Sequence, residues 1–112
     1  MNDNNDLAQS LRAGLATDRR INERKMFGGL GFLLDGNMAL GVTAKGELMV
    51  RLGKDNDHKA RVLPGADLVD FEAKRTGGFL TVNRAALEEQ GNLDRWIALA
   101  LDFTATLPPK QR

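Results

Sequence analysis

The sequence of 112 residues contains no cysteine and no tyrosine, and it has one histidine, one serine and one tryptophan. The missing cysteines exclude disulfides, thiolate catalysis and cysteine-ligated zinc. Ser10 and His58 would have to meet at one site, with an orienting partner, to act as nucleophile and base. Because Ser10 falls in a predicted helix and His58 in a separate polar segment, we expect no catalytic residues and no enzymatic activity.

Net charge and long apolar runs are scarce as well. A formal net charge of +1 gives no general attraction to nucleic acid or to anionic lipid. No apolar run approaches the roughly 18 residues that span a bilayer. The first six residues, Met1 to Asp6, lack the basic start and apolar stretch of a secretory signal. We therefore expect a cytoplasmic protein with no membrane partner.

Two partial ligand motifs each lack a required residue. Asp55-Asn56-Asp57 begins like a calcium loop, but the glycine and the bidentate glutamate of that loop would fall at Ala60 and Ala66. Gly29-Leu30-Gly31 begins like a dinucleotide fingerprint, but Leu34 stands in place of the third glycine. We therefore expect no metal and no cofactor.

The length predicts a single domain over residues 1–112 with its core over about residues 6–108. Helical periodicity predicts helices over residues 6–16, within 53–61, and over 84–90 and 93–107. Alternation and turn residues predict strands over residues 25–34, 38–43, 47–52, 69–72 and 79–83, after a basic connector over 19–25. The order α-β-β-β-α-β-β-α-α predicts an α+β fold, a two-layer antiparallel sheet of about five strands with helices on one face.

Local chemistry predicts the hairpin turn and the side-chain faces. Asp35-Gly36 is typical of a tight hairpin turn, since glycine accepts a positive φ. Alternation places Met38 with two other apolar residues, Leu40 and Val42, on one face. In the next strand alternation turns Leu48, Val50 and Leu52 inward and Glu47, Met49 and Arg51 outward.

The last predicted helix has a wide apolar arc, formed by Leu93, Trp96, Ile97, Ala100, Leu101, Phe103 and Leu107. A helix with such a face lies across a sheet or joins two surfaces. We expect Trp96 in the core, and a homodimer contact through part of the arc is the alternative to a monomer. Met26 and Phe27 are predicted to be core residues on opposite faces of their strand.

The most specific pattern is the segment from Arg24 to Gly36, an R-x-M-F-G-G-x-G strand that leads into a hairpin. This pattern resembles the signature of the N-terminal domain of the TfoX/Sxy competence-regulator family. The resemblance extends over roughly Leu7 to Pro109, through Leu63-Pro64-Gly65, Gly78-Phe79 and Leu93-x-x-Trp96.

The resemblance implies a fold like that of the secretion chaperones. It implies a stand-alone N-terminal domain without the helical C-terminal domain of full-length members. Those members regulate natural competence genes and act with the cyclic-AMP receptor protein at promoters. The resemblance therefore implies a bacterial module linked to transcription or competence regulation, whose partner is a protein of the transcription machinery.

The glycine-rich first strand and the cations near it predict an interaction surface. Strand glycines permit close backbone approach or a bulge, and cations attract phosphates or acidic partners. The predicted surface consists of Arg24, Lys25, Gly28, Gly29, Arg51, Lys74 and Arg75. The leading hypothesis is a non-enzymatic protein-interaction module. The alternatives are a nucleic-acid-binding protein with a basic patch, and a small-molecule-binding domain or enzyme.

Overall fold

The computed structural model describes residues 3–26, 28–53, 56–63, 66, 69, 78–87 and 91–109. Within these residues the α-helices are α1 (Asp3–Leu15), α2 (Asp57–Arg61) and α3 (Asn92–Thr104), with a 3-10 helix at Arg84–Leu87. The strands are β1 (Ile21–Met26), β2 (Gly29–Leu34), β3 (Asn37–Val42), β4 (Leu48–Arg51) and β5 (Phe79–Val82). None of the helices described is long and apolar enough to cross a membrane.

The strands form one antiparallel sheet in the order β1-β2-β3-β4-β5. One face of this sheet builds the core. Its cross-strand neighbours include Phe32, Leu40, Val50 and Leu80, which are nearly or completely buried. We call this side the core face. The helix residues packed with it are Leu7, Leu11 and Leu15 of α1 and Trp96, Ile97 and Ala100 of α3.

The predicted α+β fold class is confirmed, because five antiparallel strands pack helices on the core face. Trp96 is fully buried, as the wide apolar arc predicted. The inward and outward assignment along β4 is confirmed as well, since Leu48 and Val50 are buried while Met49 and Arg51 are half-buried.

The first predicted strand is two strands in the structure. Residues 19–25, predicted as a basic connector, contribute most of β1, which pairs with β2 from Ile21↔Leu34 to Met26↔Gly29. The chain reverses between Met26 and Gly29, and Gly28 has a φ of 77°, which suits a two-residue hairpin turn. β1 escaped prediction because its sequence INERKM does not alternate apolar and polar residues, as is common where charges protect an edge strand.

The predicted turn at Asp35-Gly36 is confirmed. Leu34 pairs with Asn37, and the two residues between them have φ angles of 51° and 86°. Positive φ at both central residues is the mark of a type I′ turn, whose twist matches that of the flanking strands. This turn sets the register in which β2 and β3 begin their pairing.

A β-bulge in β3 overturns the predicted face of Met38. Phe32 pairs with Leu40, but the next residue, Leu33, pairs with Met38, so Ala39 is an extra residue. A bulge places two successive residues opposite one partner and re-aims the side chains beyond it. Ala39 and Leu40 are both completely buried, and Met38 therefore lies on the side of the sheet opposite the core face.

Two further predicted elements fall partly outside the described residues. Of the predicted strand over residues 69–72, the structure describes Val69, which forms an antiparallel bridge with Val82. Of the predicted helix over residues 84–90, it describes the 3-10 helix. Asn83 Oδ1 accepts a hydrogen bond of 2.9 Å from Ala85 N, which caps that helix. Phe27 and the side chain of Met26 also lie outside the described residues.

We predict that Arg12→Ala raises the pKa of Glu23. Arg12 Nε and Nη2 donate to the two carboxylate oxygens of Glu23, at 2.5 and 3.0 Å, and this pair tethers α1 to β1. The side-chain hydrogen bond from Arg12 holds the pKa of Glu23 below its ordinary value, so the pair stabilises the fold above the ordinary pKa of a glutamate. That contribution is lost as the pH falls through the lowered pKa.

Carboxyl-detected NMR titration of wild type and variant measures this shift. Both side chains are substantially exposed, so we expect only a small change in overall stability. Arg19→Ala removes an exposed arginine just before β1 and serves as the matched control. An unchanged Glu23 titration in Arg12→Ala would contradict the tether.

Candidate interaction surface

The side of the sheet opposite the core face carries a second group of apolar side chains. Met38, Met49 and Phe79 are half-buried, and Leu33 is 7% exposed. These four residues are not members of the core cluster that the helices share with the sheet. With two arginines they form a surface that we call the second face, made of Arg24, Leu33, Met38, Met49, Arg51 and Phe79.

The strand register places the two arginines on this same face. Direct cross-strand neighbours form a row of Arg24, Gly31, Gly41, Met49 and Thr81. Direct partners project to the same side, and so do residues two apart in one strand. Arg51 therefore lies beside Arg24's row, two residues beyond Met49. With strands about 4.8 Å apart, the three steps from β1 to β4 separate Arg24 from Met49 by roughly 14 Å.

Two glycines form the floor between Arg24 and Met49. Gly31 and Gly41 are adjacent partners in β2 and β3, and neither has a side chain to rise above the strands. A Cβ at Gly41 would collide with the carbonyl oxygen of Leu30 and would come within 3.2 Å of the Met38 methyl group. The Met38 side chain therefore covers part of this floor.

Arg51 is held flat against the second face by two contacts. Its guanidinium carbon lies 5.3 Å from the centroid of the Phe79 ring, within the range of a cation–π contact. Its Nη1 donates to the carbonyl oxygen of Met38 at 3.2 Å. Its Nε is buried and has no hydrogen-bond partner among the residues that the structure describes. Arg51 is thus a positioned cation whose shown hydrogen bond, among the described residues, is the one from Nη1.

The model of the TfoX N-terminal domain family matches residues 13–104. This span takes in every described strand of the sheet and α3 to its last residue. The chain belongs to the TfoX N-terminal domain family. No curated protein and no solved structure matches it.

In this TfoX N-terminal domain the predicted surface residues are divided between the two sides of the sheet. Arg24 and Arg51 share the second face. Lys25 pairs with Leu30, which packs against the core, so Lys25 projects to the opposite side from Arg24. Gly28 occupies the turn between β1 and β2.

The remaining predicted surface residues have a backbone role or fall outside the description. A Cβ at Gly29 would collide with the carbonyl oxygen of Val42, so Gly29 allows the close approach that strand glycines predict. The bulge that those glycines also suggested lies at Ala39 instead. Lys74 and Arg75 lie outside the described residues.

Sequence reasoning missed Met38, Leu33 and Phe79 as members of the second face of the TfoX N-terminal domain. For Phe79 a signal existed: it is the partner of Arg51 once β4 and β5 are paired. For Leu33 the signal was alternation in β2, because Leu33 lies two residues after Gly31 and therefore on the same side of the sheet. Met38 had no such signal, because its position depends on the bulge.

The TfoX N-terminal domain also has a cavity of about 300 Å³ between α2 and α3. Its walls are formed by Leu52, Asn56, Lys59, Leu99, Asp102, Phe103 and Thr106. This volume is at the lower end of small-molecule sites. His58 is exposed on α2 and does not line the cavity. Across the described ranges, no group of three or more histidine, aspartate and glutamate side chains is placed to hold a metal.

Proposed function

We propose that this TfoX N-terminal domain is a non-enzymatic regulatory module of the bacterial cytoplasm that binds a partner protein through its second face. The family to which the chain belongs supports a regulatory role linked to competence or transcription. The observation that carries the proposal is the apolar group of Met38, Met49 and Phe79, which are half-buried, lie on the side of the sheet opposite the core face and are not members of the core cluster.

The composition of the second face supports a protein partner. Contiguous apolar side chains on the surface of a domain mark interaction sites. Methionine, arginine and aromatic residues are enriched in protein interfaces, and all three types are present here. Methionine is unbranched and flexible, so Met38 and Met49 can adapt their shape to a bound surface.

Two observations favour a non-enzymatic role. Ser10 and His58 are both exposed and lie on different helices, α1 and α2. A nucleophile and its base need to lie within hydrogen-bond reach of each other.

The strand geometry gives less support to the nucleic-acid alternative. Arg24 and Lys25 project to opposite sides of β1 and do not combine into one phosphate-binding patch.

Met49→Asp is expected to abolish partner binding. It places a charge in the centre of the second face, where a partner's apolar side chains would have to desolvate it. We propose to capture partners from bacterial extract on immobilised wild type and on the variant. We expect a captured partner, once purified, to bind wild type in isothermal titration calorimetry and to bind Met49→Asp at least about thirty-fold more weakly.

Ala98→Asp is the matched control, because it adds the same charge to an exposed position on α3, in the helix layer. The fluorescence of Trp96 and circular dichroism establish that both variants are folded. A purified partner that binds Met49→Asp as tightly as wild type, but fails to bind Ala98→Asp, would place the interface on the helices and contradict the proposal. Binding of DNA that weakens steeply with salt, with no protein partner, would favour the alternative.

A further inference from the structure

Arg51 stands out on the second face because two contacts fix its position, while among the described residues one of its N–H donors has a hydrogen-bond partner. An arginine side chain has five N–H donors. The structure shows one of them, on Nη1, bonded to Met38 O, and Nε without a partner among the described residues. No carboxylate of a described residue forms an ion pair with it. The guanidinium is therefore positioned to bind an acidic group.

The charged side chains that the described strands carry on the second face are both positive. The residues of the described strands that project to the second face include two arginines, Arg24 and Arg51, and no carboxylate. Glu23 is the partner of Phe32, so it projects toward the core face, where it binds Arg12. Glu47 precedes β4, in the loop at the end of the strand away from Arg51. A partner with acidic side chains is therefore complementary to this face.

We propose that the partner of the second face is a protein segment in which an aspartate or glutamate binds Arg51 while flanking apolar side chains pack on Met38, Met49 and Phe79. Arginine and carboxylate form paired, charge-assisted hydrogen bonds. The Phe79 ring and the Met38 carbonyl hold the guanidinium in place, so binding costs little rotamer entropy. This inference rests on the proposed function and names the chemistry of the partner.

A second copy of the chain is a poorer occupant of the second face. Two copies that met through this face would bring Arg24 and Arg51 of each copy toward the same positive residues of the other. Like charges set opposite each other at an interface oppose association. The acidic apolar segment is therefore the occupant that the charges favour.

The test uses peptides displayed on phage and selected on the folded protein. Selected peptides are synthesised, and their affinity is measured by calorimetry for wild type, Met49→Asp, Arg51→Gln and Arg51→Lys. We expect the peptides that lose affinity for Met49→Asp to share one acidic residue between apolar ones. Arg51→Gln should weaken them by at least about thirty-fold, and replacing the peptide's acid by its amide should do the same.

Arg95→Gln is the matched control, because it removes the same charge from an exposed position on α3, in the helix layer and away from the second face. A charge outside the interface has a small effect, so we expect a loss below about threefold. Arg51→Lys keeps the charge but cannot form the paired hydrogen bonds, and it should bind between wild type and Arg51→Gln.

The outcomes separate this inference from the proposed function. Peptides that need Met49 but lack an acid and tolerate Arg51→Gln would overturn the role of Arg51 and leave the docking face intact. Selected peptides that all bind Met49→Asp as tightly as wild type would overturn both. A dimer seen by light scattering in wild type and lost in Met49→Asp would show that a second copy occupies the face, which would also overturn the inference.

Discussion

Replacing Trp96 by alanine is expected to lower the free energy of unfolding by about 3–5 kcal/mol, since it removes the largest side chain of the core and leaves a cavity. Trp96 is fully buried on α3, where the helix crosses β3 and β4. A loss of this size is a large part of the stability of a domain of this length. We expect the variant to be partly unfolded at physiological temperature.

Urea unfolding followed by circular dichroism measures the loss in the free energy of unfolding. Tryptophan fluorescence is unsuitable, because the variant lacks the one tryptophan of the chain. Trp96→Phe should cost clearly less. It keeps an aromatic ring, and the indole N–H it removes has no hydrogen-bond partner among the described residues. Arg95→Ala, at the exposed neighbouring position, is the surface control, with an expected change within about 0.5 kcal/mol. Equal stability of Trp96→Ala and Arg95→Ala would contradict the described core.

Gly53→Ala is expected to lower the free energy of unfolding by about 2–5 kcal/mol, from two additive causes. Gly53 has a φ of 76°, and an alanine in the left-handed region costs about 1–2 kcal/mol. Its new Cβ would also lie 2.7 Å from Phe103 Cζ, and overpacking of this kind costs about 1–3 kcal/mol. Trp96 fluorescence during urea unfolding measures the sum.

Gly91→Ala separates these two causes. Gly91 also has a positive φ, 81°, but an added Cβ there meets nothing within 4 Å. The decrease in the free energy of unfolding caused by Gly91→Ala should therefore report the backbone cost alone. Combining Gly53→Ala with Phe103→Leu makes room at the ring and should recover most of the excess over Gly91→Ala. If Gly53→Ala costs no more than Gly91→Ala, the ring of Phe103 does not lie against Gly53 as described.

The glycines at 53 and 78 have a packing role that the sequence pattern did not predict. Gly78-Phe79 belongs to the family resemblance, which by itself implies no role for the glycine. In the structure Gly78 O accepts hydrogen bonds from Leu52 N at 3.1 Å and from Gly53 N at 3.2 Å. The two glycines pack against each other, since a Cβ at Gly78 would lie 2.9 Å from Gly53 Cα. The need for both depends on a contact between segments distant in sequence.

β1 is a strand that sequence patterning did not predict. Its position at the edge of the sheet leaves four of its residues, Asn22 to Lys25, exposed, so no hydrophobic alternation was available to predict it. The family motif around Met26-Phe27-Gly28-Gly29 is interpreted from sequence as part of one strand over residues 25–34, so the turn between β1 and β2 was not predicted. Pairing with β2 is what makes this polar segment a strand.

Local chemistry along the chain was enough to determine several features of this protein: the α+β class, the tight hairpin turn at Asp35-Gly36, the outward position of Met49 and Arg51 on β4, and the buried position of Trp96. Each follows from a period or a backbone preference that acts between near neighbours. The tertiary structure alone decided that Ala39 is a bulge, that Met38 joins the second face, and that Phe79 supports Arg51. These depend on the register between strands, which arises only when the whole sheet packs on its helices.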